Sequence, residues 1–163
     1  GRHELPWRHT RDPYHILVSE IMLQQTQVCR VIPKYADFIK RFHTISSLAN
    51  APLTEVLKSW QGLGYNRRAL LLKKFCQMVL VRFNGEIPDN PAVLVSLPGI
   101  GKATAGSLAA FAFNQPVVFV ETNIRSVFIH HFFANKHNIS DNQLIPFIVY
   151  FYIWVFCLKR SNG

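Results

Sequence analysis

The sequence predicts an all-α protein, and three observations carry that reading. Apolar residues recur at helical rather than alternating spacing through most of the 163 residues. Helix start and stop signals (Asp12-Pro13, Asn84-Gly85, Pro98-Gly99) punctuate those stretches. The one extended apolar run, Val117 to Val120 after Pro116, has no visible partner strand elsewhere.

Taken in order, Arg2 to Trp7 is an entry segment. Asp12 as N-cap and Pro13 at the first helical position open a helix with Leu17, Val18, Ile21, Met22 and Val28 as its apolar stripe. Glu20, Gln24 and Gln27, at i, i+4 and i+7, share another stripe, the usual pattern of a solvated face. Pro33 falls near that helix's end or just inside the next, whose stripe is Tyr35, Phe38, Ile39 and Phe42. Ser46 to Ala49 and Leu53 to Trp60 read as two short helices divided by Pro52. Gly62 to Arg68 is a turn launching a helix that buries Leu70, Leu71, Phe75, Met78 and Val79, and Asn84-Gly85 ends it. Thr122 caps a later helix through Asn123, Ile124, Val127 and His131.

Between these lies Leu97-Pro98-Gly99-Ile100-Gly101-Lys102, around which the chain is organised. It reads as a hairpin joining a helix over Pro91 to Ser96 with one from Lys102 to about Phe113. Pro98 and Gly99 stop the first helix, and Gly101 turns the chain into the second. Two glycines allow close approach to backbone N–H groups at a helix N-terminus, an anion site with Lys102 adding charge at its edge. Glycines in helix–helix turns are also common for steric reasons alone.

Composition narrows the class. Hydrophobic residues make up 49%, against disorder, and the length suffices for one or two small domains. Lys and Arg outnumber Asp and Glu by 18 to 9, a formal charge of +9. Such an excess points to a polyanion, nucleic acid first and an anionic membrane second. Phe147 to Leu158 carries no charged or amide side chain, but falls short of the roughly 20 residues a membrane helix needs. It therefore calls for burial on several sides. Cys29, Cys76 and Cys157 lie far apart, against a disulfide framework or a cysteine-built metal site. His130 and His131 are adjacent, pointing about 100° apart on a helix, and no H-x-x-x-H occurs. The absence of a signal peptide, and a start at Gly1 without Met, fit a fragment from a reduced, intracellular setting.

Four stretches occur in an order and spacing that resemble one family. They are Leu5-Pro6-Trp7-Arg8, Ser19-Glu20-Ile21-Met22-Leu23-Gln24-Gln25-Thr26-Gln27, Gly62-Leu63-Gly64-Tyr65 and the glycine hairpin. From about Arg2 to Phe133 the chain resembles MutY-type adenine DNA glycosylases of the helix-hairpin-helix superfamily. The Ser-Glu-Ile-Met-Leu-Gln-Gln-Thr string is the most specific part, and it separates the chain from the endonuclease III branch, which lacks a carboxylate at the Glu20 position. The resemblance implies an all-α, two-lobed fold over residues 1–163, with DNA and a flipped base held between the lobes. The central lobe would span about 30–115, and the second would join 1–29 to 116–163. It also implies removal of adenine mispaired with 8-oxoguanine or guanine, on double-stranded DNA, by a monomer with a DNA-associated location (cytoplasm and nucleoid in a bacterium).

Roles follow by resemblance. Glu20 matches the catalytic acid, and Arg2 and Trp7 fall at positions lining the adenine pocket. Gln24, Gln25 and Thr26 match the segment that touches the opposite base and fills the vacated space, and Tyr65 matches an intercalating wedge. Gly99, Gly101 and Lys102 match the phosphate-holding hairpin, whose carbonyls would also hold a monovalent cation. The chemistry is coherent. Unstacking a base costs a few kcal/mol. A protonated Glu20, its pKa raised by burial, would assist departure of the purine on the order of 10²–10⁴-fold. Glu121 is the candidate carboxylate for stabilising oxocarbenium character on the sugar, beside its plain reading as a helix N-terminal acid.

Three departures stand out. The family has aspartate at the Glu121 position, and glutamate is one methylene longer. Ala103 stands where the lyase branch has its nucleophilic lysine, so no Schiff base can form there. The four-cysteine iron–sulfur motif expected after Phe133 is absent, as is the domain that reads 8-oxoguanine. No iron–sulfur cluster is expected, either because the branch lacks it or because residues 138–163 are a truncated or frame-altered end. Two alternatives remain beside adenine excision: a mismatch uracil or thymine glycosylase, and a DNA-damage-binding module that cuts nothing.

Overall fold

The computed structural model describes residues 5–115, 122–133, 139–140, 142–146 and 148 of the chain. Arg2, Glu121, Val117 to Val120 and most of the 147–158 run lie outside them. Among the described residues the fold is all-helical. A 3₁₀ turn, Pro6–His9, precedes α1 (Pro13–Leu23), α2 (Val28–Arg41), α3 (Ile45–Asn50), α4 (Leu53–Trp60), α5 (Arg67–Arg82), α6 (Pro91–Val95), α7 (Lys102–Phe111) and α8 (Thr122–Phe132). Two compact units result, Gly1–Pro116 and Val117–Gly163.

Local chemistry sets most helix ends in the first unit. The Asp12 carboxylate accepts from the backbone N–H groups of Tyr14 (2.8 Å) and His15 (3.3 Å), as an N-cap should. Thr44 and Ser47 form a reciprocal capping box at the start of α3: each backbone N–H donates to the other's hydroxyl, at 3.0 and 3.1 Å. The last carbonyls of α3, on Leu48 and Ala49, accept from the Lys73 ammonium on α5. α5 ends as the Gly85 N–H donates back to the Val79 carbonyl at 3.1 Å, with Gly85 at φ +82°. Pro33 lies inside α2 on an exposed face, so the backbone hydrogen bond it removes is on the solvent side.

α1 is the central helix. Tyr14, Ile16, Leu17, Val18, Ser19, Ile21 and Met22 are all buried, far more than one stripe, because α2, α5 and α7 pack around it. These contacts lie within the first unit. α3 and α4 pack on α5, and α6 on α7. Phe38, Phe42 and Trp60 make edge-on ring contacts at 5.0 and 5.7 Å between centroids, and the Tyr14 hydroxyl donates to the Phe42 carbonyl at 2.7 Å.

Three expectations are corrected here. Val28 does not belong to the α1 stripe: it starts α2 and is exposed. Gln24 and Gln27 do not share a helical face with Glu20, because α1 stops at Leu23; Gln24 is its C-cap and Gln27 the N-cap of α2. The fully buried face of α5 is Ala69, Leu72, Phe75, Cys76 and Val79, with Leu70, Leu71 and Met78 at its half-buried edges. Contact with α1 and with α3 and α4 together turns the helix to bury that wider, rotated face.

In the second unit, Phe128 of α8 buries itself with Ile139, Leu144 and Ile148, and Phe132 stacks on Phe128 at 5.5 Å. The Arg125 guanidinium donates to the Ile139 carbonyl. Ile148, the one described residue of the apolar tail, thus packs with α8.

Candidate functional site

The end of α1 is where the predicted residues gather. Glu20 sits half-buried in its last turn. Gln24 leaves the helix, and Gln25 takes φ +54°, a left-handed conformation uncommon for a residue other than glycine. The Thr26 N–H closes the turn on the Leu23 carbonyl at 3.3 Å. The Gln24 side-chain amide reaches α7, donating to the buried Thr104 hydroxyl at 3.4 Å. That contact ties the Gln24–Thr26 loop to the second helix of the glycine hairpin.

Tyr65 stands at the tip of another tight turn. It is 64% exposed and also left-handed, at φ +48°, after Gly62 at +93° and Gly64 at +73°. The carbonyls of that turn point inward to cations and an indole. Arg30 of α2 donates to Gly62, Arg68 to Leu63 and Gly64, and Trp60 Nε1 to Gly64. An exposed phenol ring on a firmly held turn suits a wedge.

The hairpin is built as its sequence predicts. Leu97 and Ile100 are buried as anchors, while Gly99, Gly101 and Lys102 are exposed. Gly99 has φ +78°, and a Cβ there would lie 2.9 Å from Leu71 Cβ, so only glycine fits. Gly101 is the N-cap of α7 in an extended conformation with no side-chain cap, which leaves the first amides of α7 to an outside acceptor.

Trp7 is buried and meets Tyr35 edge-on at 5.2 Å between ring centroids, so it packs in the core of the first unit. Arg2 and Glu121 lie outside the described residues, and Ala103 is exposed on the first turn of α7. Cys29 and Cys76 are free thiols, and among the described residues no group of His, Cys, Asp and Glu is arranged to hold a metal. A cleft of about 570 Å³ beside Asp12, His43 and Glu86 contains none of the predicted site residues. Among the described residues no helix is long and apolar enough to cross a membrane.

Sequence reasoning missed Arg68. Its Nη1 donates to the carbonyls of Ile21 (3.0 Å), Met22 (3.1 Å) and Gln24, and its Nη2 to the Thr26 hydroxyl (3.0 Å) and to the carbonyls of Leu63 (3.1 Å) and Gly64 (3.2 Å). The guanidinium carbon lies 5.7 Å from the Trp60 ring centroid and 5.4 Å from that of Tyr65. Burial pulls its pKa below the ordinary arginine value, with Tyr65 pulling the other way. The one available signal was spacing: Arg68 precedes Leu72 and Phe75 by four and seven residues, which puts a cation in line with the apolar face of a helix.

Residues 18–144 match the model of the HhH-GPD superfamily, described as a base excision DNA repair protein. Over 145 residues the chain is 45% identical to an adenine DNA glycosylase of Buchnera aphidicola subsp. Baizongia pistaciae, covering 89% of this chain and 41% of that protein. It is 43% identical over 125 residues to an adenine DNA glycosylase of Mycobacterium tuberculosis, covering 76% of this chain and again 41% of the relative. The chain thus spans about two fifths of the length of these relatives. Among solved structures it resembles a thermostable thymine-DNA glycosylase (TM-score 0.73, 34% identity, 78% of this chain and 59% of the other). It also resembles endonuclease III in a non-covalent DNA complex (TM-score 0.68, 27% identity, 73% and 56%).

Proposed function

Because this chain belongs to the HhH-GPD superfamily of base excision DNA repair proteins, we propose that it is a monofunctional DNA glycosylase that hydrolyses the N-glycosidic bond of adenine mispaired with 8-oxoguanine or guanine. The observation that carries the reading is that a single guanidinium joins the Gln24–Thr26 loop to the Tyr65 turn, while Gln24 bonds to the hairpin helix. A glycosylase needs that juxtaposition: a wedge to part the stack, amides to fill the gap, and a phosphate grip to hold the bent strand. Double-stranded DNA is the partner, met by a monomer. The endonuclease III–DNA complex among its structural neighbours supports DNA as ligand.

The roles are these. Backbone amides at Gly101 and beyond hold a phosphate, aided by Lys102. Tyr65 enters the duplex beside the target, and Gln24, Gln25 and Thr26 take the space left by the flipped adenine. Arg2 and Trp7 border the base. Glu20 delivers a proton to the departing purine, and Glu121 is the carboxylate assigned to stabilising the positive charge that develops on the sugar. With Ala103 in place of an amine on α7, water completes the reaction and an intact abasic site results. No cofactor is required. Neutral carbonyls of the 97–101 turn are a donor set suited to a monovalent cation, which would supply further positive charge toward a phosphate.

The test is single-turnover excision on duplexes carrying A opposite 8-oxoguanine, A opposite G, U opposite G and T opposite G, with and without alkali. Adenine release that breaks the strand only after alkali is expected, with Glu20→Gln abolishing excision and leaving binding within about threefold. Glu20→Gln as fast as the parent would refute the acid. A strand break without alkali, or a borohydride-trapped adduct, would refute the monofunctional reaction. The 34% identity to a thymine-DNA glycosylase favours one second reading, excision of thymine or uracil from mismatches with G. Activity confined to the U and T duplexes would establish it.

A further inference from the structure

We propose that Arg68 is a positioning residue that makes the Gln24–Thr26 loop and the Tyr65 turn one mechanical unit, so that wedge and gap-filling side chains enter DNA together. The proposal rests on the reading above that these two segments meet DNA. The two loops are 40 residues apart in sequence, and neither has regular structure of its own between the flanking helices. Each carries a non-glycine residue in the left-handed region, Gln25 at φ +54° and Tyr65 at φ +48°. Such residues keep an unfavourable conformation only where their surroundings over-determine it.

Arg68 supplies that constraint from both sides. One nitrogen, Nη1, takes carbonyls at the end of α1: Ile21 and Met22 belong to its last turn, whose carbonyls lack helical partners, and Gln24 follows them. A cation at a helix C-terminus is further favoured by the partial negative charge there. The other nitrogen, Nη2, spans the gap, holding the Thr26 hydroxyl on one loop and the Leu63 and Gly64 carbonyls on the other. Among the described residues every acceptor of the guanidinium is neutral, and its buried Nε has no hydrogen-bond partner. The donors of one side chain are thus divided between the oxygens of two loops, which fixes the position of each loop relative to the other. A planar fork with separated donors can bridge two loops; the single point of a lysine ammonium cannot. Arg30, donating to the Gly62 carbonyl from α2, holds the far side of the same turn.

The experiment uses the 163-residue chain with Arg68→Lys, Arg68→Gln and Thr26→Val. Without DNA, amide hydrogen exchange is followed at residues 24–27, at 62–66 and, as reference, in α3. Both Arg68 variants should speed exchange in the two loops together by about tenfold or more while α3 is unchanged. Thr26→Val removes one acceptor from the first loop only. It should nonetheless speed exchange at Leu63, whose N–H donates to the Trp60 carbonyl at 3.1 Å, a cross-loop effect that keeps the idea testable even where an Arg68 variant fails to fold. Loosening of one loop alone, or a Thr26→Val effect confined to 24–27, would overturn the proposal. With DNA, a 2-aminopurine beside the target adenine reads unstacking. Arg68→Lys should reduce that signal and the single-turnover rate by about tenfold to a hundredfold, with affinity for undamaged duplex nearly unchanged. Normal unstacking by a variant whose loops have loosened would equally overturn it. A parent that excises no base on any duplex, yet shows the coupled exchange, would remove the glycosylase reading and leave the joining of the loops standing.

Discussion

The two hairpin glycines should fail in different ways when given a methyl group. At Gly99 the new Cβ would lie 2.9 Å from Leu71 Cβ, an atom fixed by the α5 backbone, and φ is +78°. A left-handed L residue costs about 1–2 kcal/mol, and forcing a methyl into a filled site costs about 1–3 kcal/mol. The stiffer unfolded chain returns about 0.4–1 kcal/mol. Gly99→Ala should therefore lower stability by a net of about 1–4.5 kcal/mol. At Gly101, φ is −91° and ψ 172°, an extended conformation open to any residue, and nothing lies within 4 Å of the new Cβ. Alanine caps a helix less well than glycine by roughly the entropy it recovers, so stability should move by less than about 0.5 kcal/mol. Its methyl would crowd an anion approaching the α7 amides, and duplex affinity should fall about tenfold. Urea unfolding gives the first quantity, and fluorescence anisotropy on a labelled duplex at low salt gives the second. Equal destabilisation by both variants, or full DNA affinity in Gly101→Ala, would refute this division of labour.

Other consequences are direct. Lys102→Ala should weaken binding alike across sequences and lower the slope of log K against log salt by about one unit; an unchanged slope would assign the exposed Lys102 to ordinary solvated surface. Stability should also fall in alkali, for a reason located at Cys76. Burial pushes its thiol from 9.0 up to about 12, so between those values the unfolded chain ionises while the native thiol keeps its proton. The stabilisation is complete below pH 9 and lost as pH rises toward 12, with Tyr35, raised from 10.0 to about 12, adding to the loss above pH 10. Between pH 8 and 10.5 the parent should lose about 2 kcal/mol more than Cys76→Ala, as read by urea unfolding at each pH. Parallel pH profiles would refute the thiol's part in it.

What the sequence determined by itself is the set of features whose cause lies within a few residues. Asp12-Pro13 starts α1, Asn84-Gly85 ends α5, Pro52 parts α3 from α4, and the glycines turn the hairpin, because caps, fixed φ and positive φ act locally. The motif strings likewise single out Gln24, Thr26, Tyr65 and Gly101 as candidates, since each belongs to a short contiguous pattern. The end of α1 was not legible in this way. The apolar pattern ran on to Val28, yet the helix stops at Leu23, and its last carbonyls are taken by an arginine 44 to 47 residues further along the chain. Nothing in the spacing of α1 could report that partner. The same holds for α5, whose buried face was rotated by the helices packed on it, and for Trp7, whose burial against Tyr35 needs α2 in place. Tertiary structure alone decided which loops share a cation, because a half-buried guanidinium among neutral oxygens is favourable only once the fold has brought all of them to one point.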